Sequence, residues 1–427
     1  MNTGKVYISK TKRYSMEQIN TPYERIELAS FLLFVLMFFS GMISSFIWPL
    51  FFIPLLIIVR RSYKECFVHI DYRFRMTDAA VLLICVTESV LLCKSSYIDS
   101  SVSIVQRLLL AGVFWFFFRL YFHRRKYFQV SIWIISGLTF LLSVLTLVEY
   151  IRHRQYFVEL GYTDMTLVRQ YYHPLGCKSN DWIAILLCLM PFPIYGLLSN
   201  DSKKVIPLLF ASLFLTSLSI VVSFSRGGYL SLFVLLALTA VFVRLYGINS
   251  IKRLLLLYCF LFVLLSLSLI PDRKSIATTI SMSGTTVQNR STEGRLKKWN
   301  ESVQLARISP LTGVGTANYR VVSDNYIKDK RSTLTGRSTN TYLQILVEKG
   351  IVGTSAYLVA IILILTDCMR FIKSNPNRAP FFASLIALML KEFFFSSFFV
   401  DRRMPMLVAV LILFSIQQTF QDEKTSI

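Results

Sequence analysis

The residues of this chain best placed to do chemistry are arginines at the borders of apolar blocks. Arg226, in the run SFSRGGYL, stands where one long apolar stretch ends and the next begins, and the two glycines behind it let the backbone turn sharply. A guanidinium presents a planar fork of donors that suits phosphate oxygens, so its functional reading is an anion clamp. The bland reading is an interfacial arginine reaching towards lipid headgroups. Arg290 and Arg295 follow in a long polar segment, with Lys298 and Trp299 just beyond. Charges there are ordinarily a solvated helix face, but a tryptophan one turn past Arg295 points to a helix lying on a surface and aiming its charge inward. Arg337, Thr339 and Asn340 close the same segment.

Candidates for proton transfer are few, because the chain has four histidines. His69 and His123 fall on the cytoplasmic side of the topology derived below, which leaves His153 and His173. His173, in YYHPLGCKSNDW beside a turn-forming proline, is the better of the two, although a lone loop histidine is more often a bystander. Glu293 and Glu348 are weaker alternatives. Lys391, next to Glu392 in LIALMLKEFFFSS, reads as mid-span, where a charge costs roughly 3 kcal/mol unless paired. It either pairs within the bundle or lines it near a lipid phosphate. Glu88, Glu149 and Asp181 pose the same choice. The seven cysteines show no metal spacing, so neither a metal centre nor a cofactor is expected.

The elements that position these groups are membrane helices. Of 427 residues 54% are hydrophobic, with 35 phenylalanines, and mean hydropathy is +0.55; no soluble core can bury so much apolar surface. A bilayer core of roughly 30 Å takes about 20 apolar residues per helix. Twelve stretches qualify, near 26–45, 46–60, 78–94, 104–122, 128–149, 180–198, 204–223, 228–246, 253–270, 345–367, 380–399 and 404–420. The first follows a polar leader of some 25 residues without a small-residue cleavage site, which reads as an uncleaved helix.

With both termini inside, twenty-three lysines and arginines lie on the cytoplasmic side, against nine outside beyond the longest loop. The net charge of +22 is therefore mainly a topology signal, and no nucleic-acid partner is implied. The chain reads as one polytopic domain over 1–427 without internal repeats, carrying two extracytoplasmic insertions. The smaller covers 150–180. The larger, 271–340 between the ninth and tenth spans, carries arginine and lysine more than twice as often as aspartate and glutamate. These features point to a membrane enzyme working on an anionic, lipid-linked substrate at the outer face.

Within the larger loop, Ser291 and Thr292 precede a helical pattern with Leu296, Trp299, Val303 and Ala306 on one face and Arg295, Lys298 and Ser302 on the adjacent one. Pro310 ends that helix, a glycine turn follows in PLTGVGTANY, and the chain is irregular to Arg337. A short interfacial helix is expected over 341–348, broken at Lys349-Gly350.

The order of SRGG, GRLKKWNESVQLARISPLTGVGTANY and STNTYLQILVEKGIVG, over residues 220–365, resembles the O-antigen ligase and polymerase superfamily. The resemblance implies an all-α, GT-C-like membrane fold in the bacterial inner membrane. It also implies metal-independent transfer of a glycan from undecaprenyl pyrophosphate to an acceptor hydroxyl on a glycan or lipid, outside the cytoplasm. By that resemblance Arg226 and Arg295 bind the pyrophosphate. From their own residue types and positions, Arg290, Lys298, Trp299, Arg337 and Lys391 are expected as further substrate contacts. Asn340 and Leu343 belong to the loop-to-helix motif. Ligases of the superfamily usually carry a histidine where this chain has Thr339, whose hydroxyl is no base near pH 7, which tilts the expectation from ligase to polymerase. A transporter of lipid-linked glycan is the alternative from another class, but the paired repeats it would carry are not found.

Overall fold

A computed structural model of the protein describes residues 74–95, 97–121, 125–171, 173–199, 205–245, 275, 286–326, 338–399 and 403–416. The expected spans near 26–45, 46–60 and 253–270 lie outside the described residues, as do Arg337, His69 and His123.

Thirteen α-helices and no strand occur among the described residues. They are α1 Met76–Leu92, α2 Ile98–Tyr121, α3 Arg125–Glu159, α4 Val168–Tyr171, α5 Ser179–Leu189, α6 Pro191–Ser199, α7 Ile206–Val221, α8 Arg226–Leu245, α9 Thr286–Ala306, α10 Tyr319–Tyr326, α11 Thr341–Ser374, α12 Ala379–Phe394 and α13 Met404–Ile416. Among the described residues, four stretches are long and apolar enough to cross a membrane: Phe128–Glu159, Ser179–Ser199, Arg226–Leu245 and Thr341–Ser374. Proline in the first turn starts α6, α7, α12 and α13, where its missing amide leaves no bond unmade.

The stretch Ser179–Ser199, two helices meeting at Met190, is the centre of the bundle, with 89% of its apolar window buried. Around it Phe192 meets Phe381 at 5.1 Å and Phe414 at 4.9 Å, and Phe414 meets Phe128 at 4.7 Å, so α3, α6, α12 and α13 converge on one aromatic knot. Helices α3 and α7 are joined differently, by small hydroxyl residues. Ser143 Oγ lies 2.9 Å from Thr216 Oγ1, and Ser212 and Ser219 donate to the carbonyls of Ser136 and Ser143. Without a hydrophobic drive between helices in lipid, such close approach and hydrogen bonding is what holds them.

Three elements differ from the sequence reading. Helix α3 continues ten residues past the expected end at 149. Its 35 residues span about 52 Å, well beyond the bilayer core. The extension is held by Tyr150 and Phe157, which bury themselves against Met165, Val168, Val221 and Phe224. Helix α9 begins at Thr286, before the expected caps Ser291 and Thr292, and its rotation differs too: Leu296 and Val303 are exposed, while Glu301, Ser302 and Leu305 are buried. The polar stripe containing Arg295, Lys298 and Ser302 therefore faces the protein, because its partner surface is itself polar. Helix α10 forms in a stretch read as irregular.

The expected break in α11 falls at Gly350, at φ 60° and ψ −167°. A break inside a helix strands backbone groups that must find partners. The PLTGVG turn supplies them. The amides of Val314 and Gly315 donate to the carbonyls of Val347 and Glu348, and the amides of Ile351 and Val352 donate to those of Pro310 and Leu311, at 2.8–3.1 Å. A Cβ at Gly313 would lie 2.3 Å from the Glu348 backbone, and one at Gly350 2.4 Å from that of Leu311, so each glycine is required by the other strand of the contact.

Beside this clasp, Lys349 is fully buried and ion-paired with Glu88 of α1. The Lys349 ammonium also donates to Thr316 Oγ1 at 3.0 Å, Thr316 donates to Glu88 at 2.8 Å, and Tyr357 donates to Glu88 at 2.6 Å. Lys391 and Glu392 are not mid-span as expected. They occupy the last turn of α12, which ends at Phe394 because Glu392 turns back to accept from the amides of Ser397 and Phe398. Lys391 donates to Ser397 Oγ at 2.7 Å and lies 3.8 Å from Glu392.

Candidate functional site

The SFSRGG turn shapes the site. Helix α7 ends at Val221, and Phe224 takes a left-handed φ of 49°, uncommon for a bulky residue. Its side chain, sunk into the cluster with Tyr150 and Phe157, holds that conformation in place. Ser225 Oγ then accepts from the Gly228 amide at 3.3 Å, capping α8, and Gly228 leaves room for Ile183 of the central helix. Arg226 is thereby the first residue of α8, half-buried. A cation at the positive end of a helix dipole is unfavourable on its own and favourable once an anion is bound there.

Two more arginines come to this point. Arg169, on α4, donates to the carbonyl of Phe224 at 3.2 Å and to Asn180 Oδ1 at 2.7 Å, and Ser225 Oγ donates to the same oxygen of Asn180 at 3.0 Å. Arg169 thus pins the turn that presents Arg226. Burial, then the charges of Arg295 and Arg226, push Arg169 down to about 10 against an opposing effect of Tyr229, so it remains a cation at neutral pH. Burial and then Arg226 push Arg295 down as well. Since the charges of Arg295 and Arg226 act on Arg169 and that of Arg226 acts on Arg295, the three arginines share one region, although 126 residues separate the first from the last. Sequence reasoning missed Arg169, whose only visible trait is a positive charge in a loop.

The neighbouring surface is aromatic. Trp299, one turn from Arg295, stacks edge-on to Phe393 at 5.4 Å; Phe393 also meets Tyr342 and Phe394, and Gly227 faces Phe394. A continuous path of rings therefore runs from α9 over α12 to the base of Arg226. Lys298 is half-buried on the same side of α9, and Arg290 lies on that helix nearer its start.

Asn340 is the N-cap of α11, its Oδ1 accepting from the amides of Tyr342 and Leu343 at 2.9 and 3.1 Å. Its described bonds are those of a cap, and replacing it with alanine is expected to cost about 1 kcal/mol of stability, seen as a fall in the thermal midpoint of detergent-solubilised protein. Thr339 is half-buried, and its hydroxyl has no hydrogen-bond partner among the described residues. His173 is exposed, with its amide donating to Glu149 Oε1 at 3.0 Å; no described contact ties its ring to the arginines.

Residues 211–358 match the family model described as O-antigen ligase. The match includes Arg226, Arg290, Arg295, Lys298, Trp299, Arg337, Thr339 and Asn340, and leaves out Arg169, His173 and Lys391. No curated protein compared with the chain matches it. Taken with its long apolar helices, the match points to a membrane protein in which residues 211–358 are similar to the O-antigen ligase family.

Proposed function

We propose that this protein is a polysaccharide polymerase of the bacterial inner membrane, crossing it about twelve times with its large loop outside. It joins lipid-linked repeat units by transferring a glycan from undecaprenyl pyrophosphate to a sugar hydroxyl of another unit. The observation that carries this reading is the convergence of Arg169, Arg226 and Arg295. Three crowded cations are costly to assemble in an unliganded protein, and they match the charge of a pyrophosphate that becomes more negative as it leaves. Arg226 and Arg295 bind its oxygens; Arg169, committed to Phe224 and Asn180, holds Arg226 in place and adds its charge.

Binding that strengthens as negative charge develops accelerates the step itself, so no metal is needed. Trp299 and the rings beside it form a flat apolar surface for the sugar next to the pyrophosphate. Thr339 at the end of the loop favours polymerase over ligase, since its hydroxyl does not replace an imidazole.

A gel of surface glycan from a deletion strain tests the assignment. A single repeat unit on the acceptor is expected. Full-length polymer stranded on undecaprenyl pyrophosphate would instead mark the protein as a ligase, and normal surface glycan would remove the enzyme from this pathway altogether.

A further inference from the structure

The donor site leaves a second group of buried polar side chains unused. Between α9, α10 and the start of α11, the Tyr319 hydroxyl lies 2.9 Å from Ser302 Oγ, which lies 3.1 Å from Ser338 Oγ. Glu301 and Glu348 both act on that phenol. Burial, joined by their two charges, pushes it up to about 12 against the opposing hydrogen bonds from Ser302 and Ser338. The glutamates are 7% and 1% exposed. Each keeps one carboxylate oxygen, Oε1 of Glu301 and Oε2 of Glu348, without a hydrogen-bond partner among the described residues, and so do Thr339 Oγ1 and Trp299 Nε1. A polar atom buried unmet costs free energy, which a ligand that meets it returns. Two carboxylate acceptors with a hydroxyl and an indole N–H form the complement of a polyhydroxylated ligand.

Glu348 differs from Glu301 in being aimed. Its Oε1 accepts from Gln344 Nε2 at 3.0 Å, and Gln344 is held in turn by Ser396 Oγ, which donates to its Oε1 at 2.8 Å. The backbone of Ala317 also acts on the Glu348 carboxylate by hydrogen bonding. A carboxylate held in place by such neighbours and able to accept a further proton has the arrangement of a positioned general base. The adjacent Lys349 does not occupy it, since its ammonium is bonded to Glu88 and Thr316. Ser302 follows Arg295 by seven residues on α9, about 10 Å along the helix, with Trp299 between. That is room for the donor's reacting sugar between the pyrophosphate and this group.

We infer that the buried polar cluster of Glu301, Tyr319, Thr339 and Glu348 binds the acceptor sugar, and that Glu348 is the general base of the transfer. The inference rests on the donor reading above. Glu348 Oε2 takes the proton of the acceptor hydroxyl while that oxygen bonds to the anomeric carbon. The bond from the anomeric carbon to the pyrophosphate oxygen breaks, and its electron pair leaves with the pyrophosphate held by the arginines. The proton passes from Glu348 to water afterwards.

The test uses the full chain in lipid vesicles, supplied with the undecaprenyl-pyrophosphate-linked repeat unit extracted from a deletion strain. Glu348→Gln keeps the shape and the bond from Gln344, and is expected to slow polymer formation about 100-fold or more while binding undecaprenyl pyrophosphate within about twofold of wild type. Glu348→Ala is expected to regain part of the rate on addition of sodium formate, a response that a purely structural glutamate would not show. Near-normal turnover by Glu348→Gln, its loss of donor binding together with rate, or no response of Glu348→Ala to formate would each overturn the assignment. If the wild-type protein does not bind undecaprenyl pyrophosphate, the donor reading falls first and this inference falls with it. Intact donor binding with a fast Glu348→Gln sinks the base alone.

Discussion

Replacing Arg226 or Arg295 with alanine is expected to remove surface polymer from a complemented deletion strain while the protein accumulates to its normal level. The size follows from the chemistry: a single donor aimed at developing charge in a water-poor site is worth about 10² to 10³ in rate, and these arginines carry full charges. The intact protein level follows from the electrostatics. Arg226 and Arg295 contribute to the downward shift of Arg169, and Arg226 to that of Arg295, so removing either cation relieves repulsion in the unliganded protein. Arg169→Ala should behave differently. It also removes the bonds to Phe224 and Asn180 that secure the SFSRGG turn, so activity and thermal stability are expected to fall together. Arg169→Lys keeps the charge but not the fork and should resemble the alanine variant. Normal polymer from both Arg226→Ala and Arg295→Ala would sink the anion-clamp reading.

Lys349→Met is expected to be the most destabilising single change away from the arginines. It leaves the carboxylate of Glu88 buried without its cation, a kind of break that typically costs about 3–5 kcal/mol. Glu88 retains its donors Thr316 and Tyr357, which places the loss towards the low end of that range. The combined Glu88→Gln, Lys349→Met variant removes both charges and should recover much of the stability, as seen in the thermal midpoint of detergent-solubilised protein. An unchanged midpoint for Lys349→Met alone would mean that the pair contributes nothing. Activity should follow stability in this series, because Thr316 belongs to the turn that clasps α11 beside Glu348.

How much of this was legible beforehand varies by element. Nine of the twelve expected spans coincide with helices, since an unbroken apolar run of sufficient length leaves the backbone little alternative in lipid. Gly350 was readable as a break, because a Lys-Gly pair interrupts a clear helical pattern. Helix α9 was readable as a helix but not in its rotation. The usual rule sends the apolar stripe inward, whereas here the inner wall is lined by Tyr319, Ser338 and charged groups, and the polar stripe meets it.

By itself the sequence pointed to a helical membrane protein with a cationic segment between apolar blocks, and it singled out Arg226 and Arg295 from residue type and position. The tertiary structure alone decided that Arg169 joins them, that the turn around Gly313 closes the break at Gly350, and that Glu88 pairs with Lys349 across more than 260 residues. The physical reason is one of range. Hydrophobicity and turn chemistry act between neighbours along the chain and leave their pattern in the sequence. A buried charge or a stranded carbonyl is satisfied by whatever group packing delivers, and nothing local to either partner names the other.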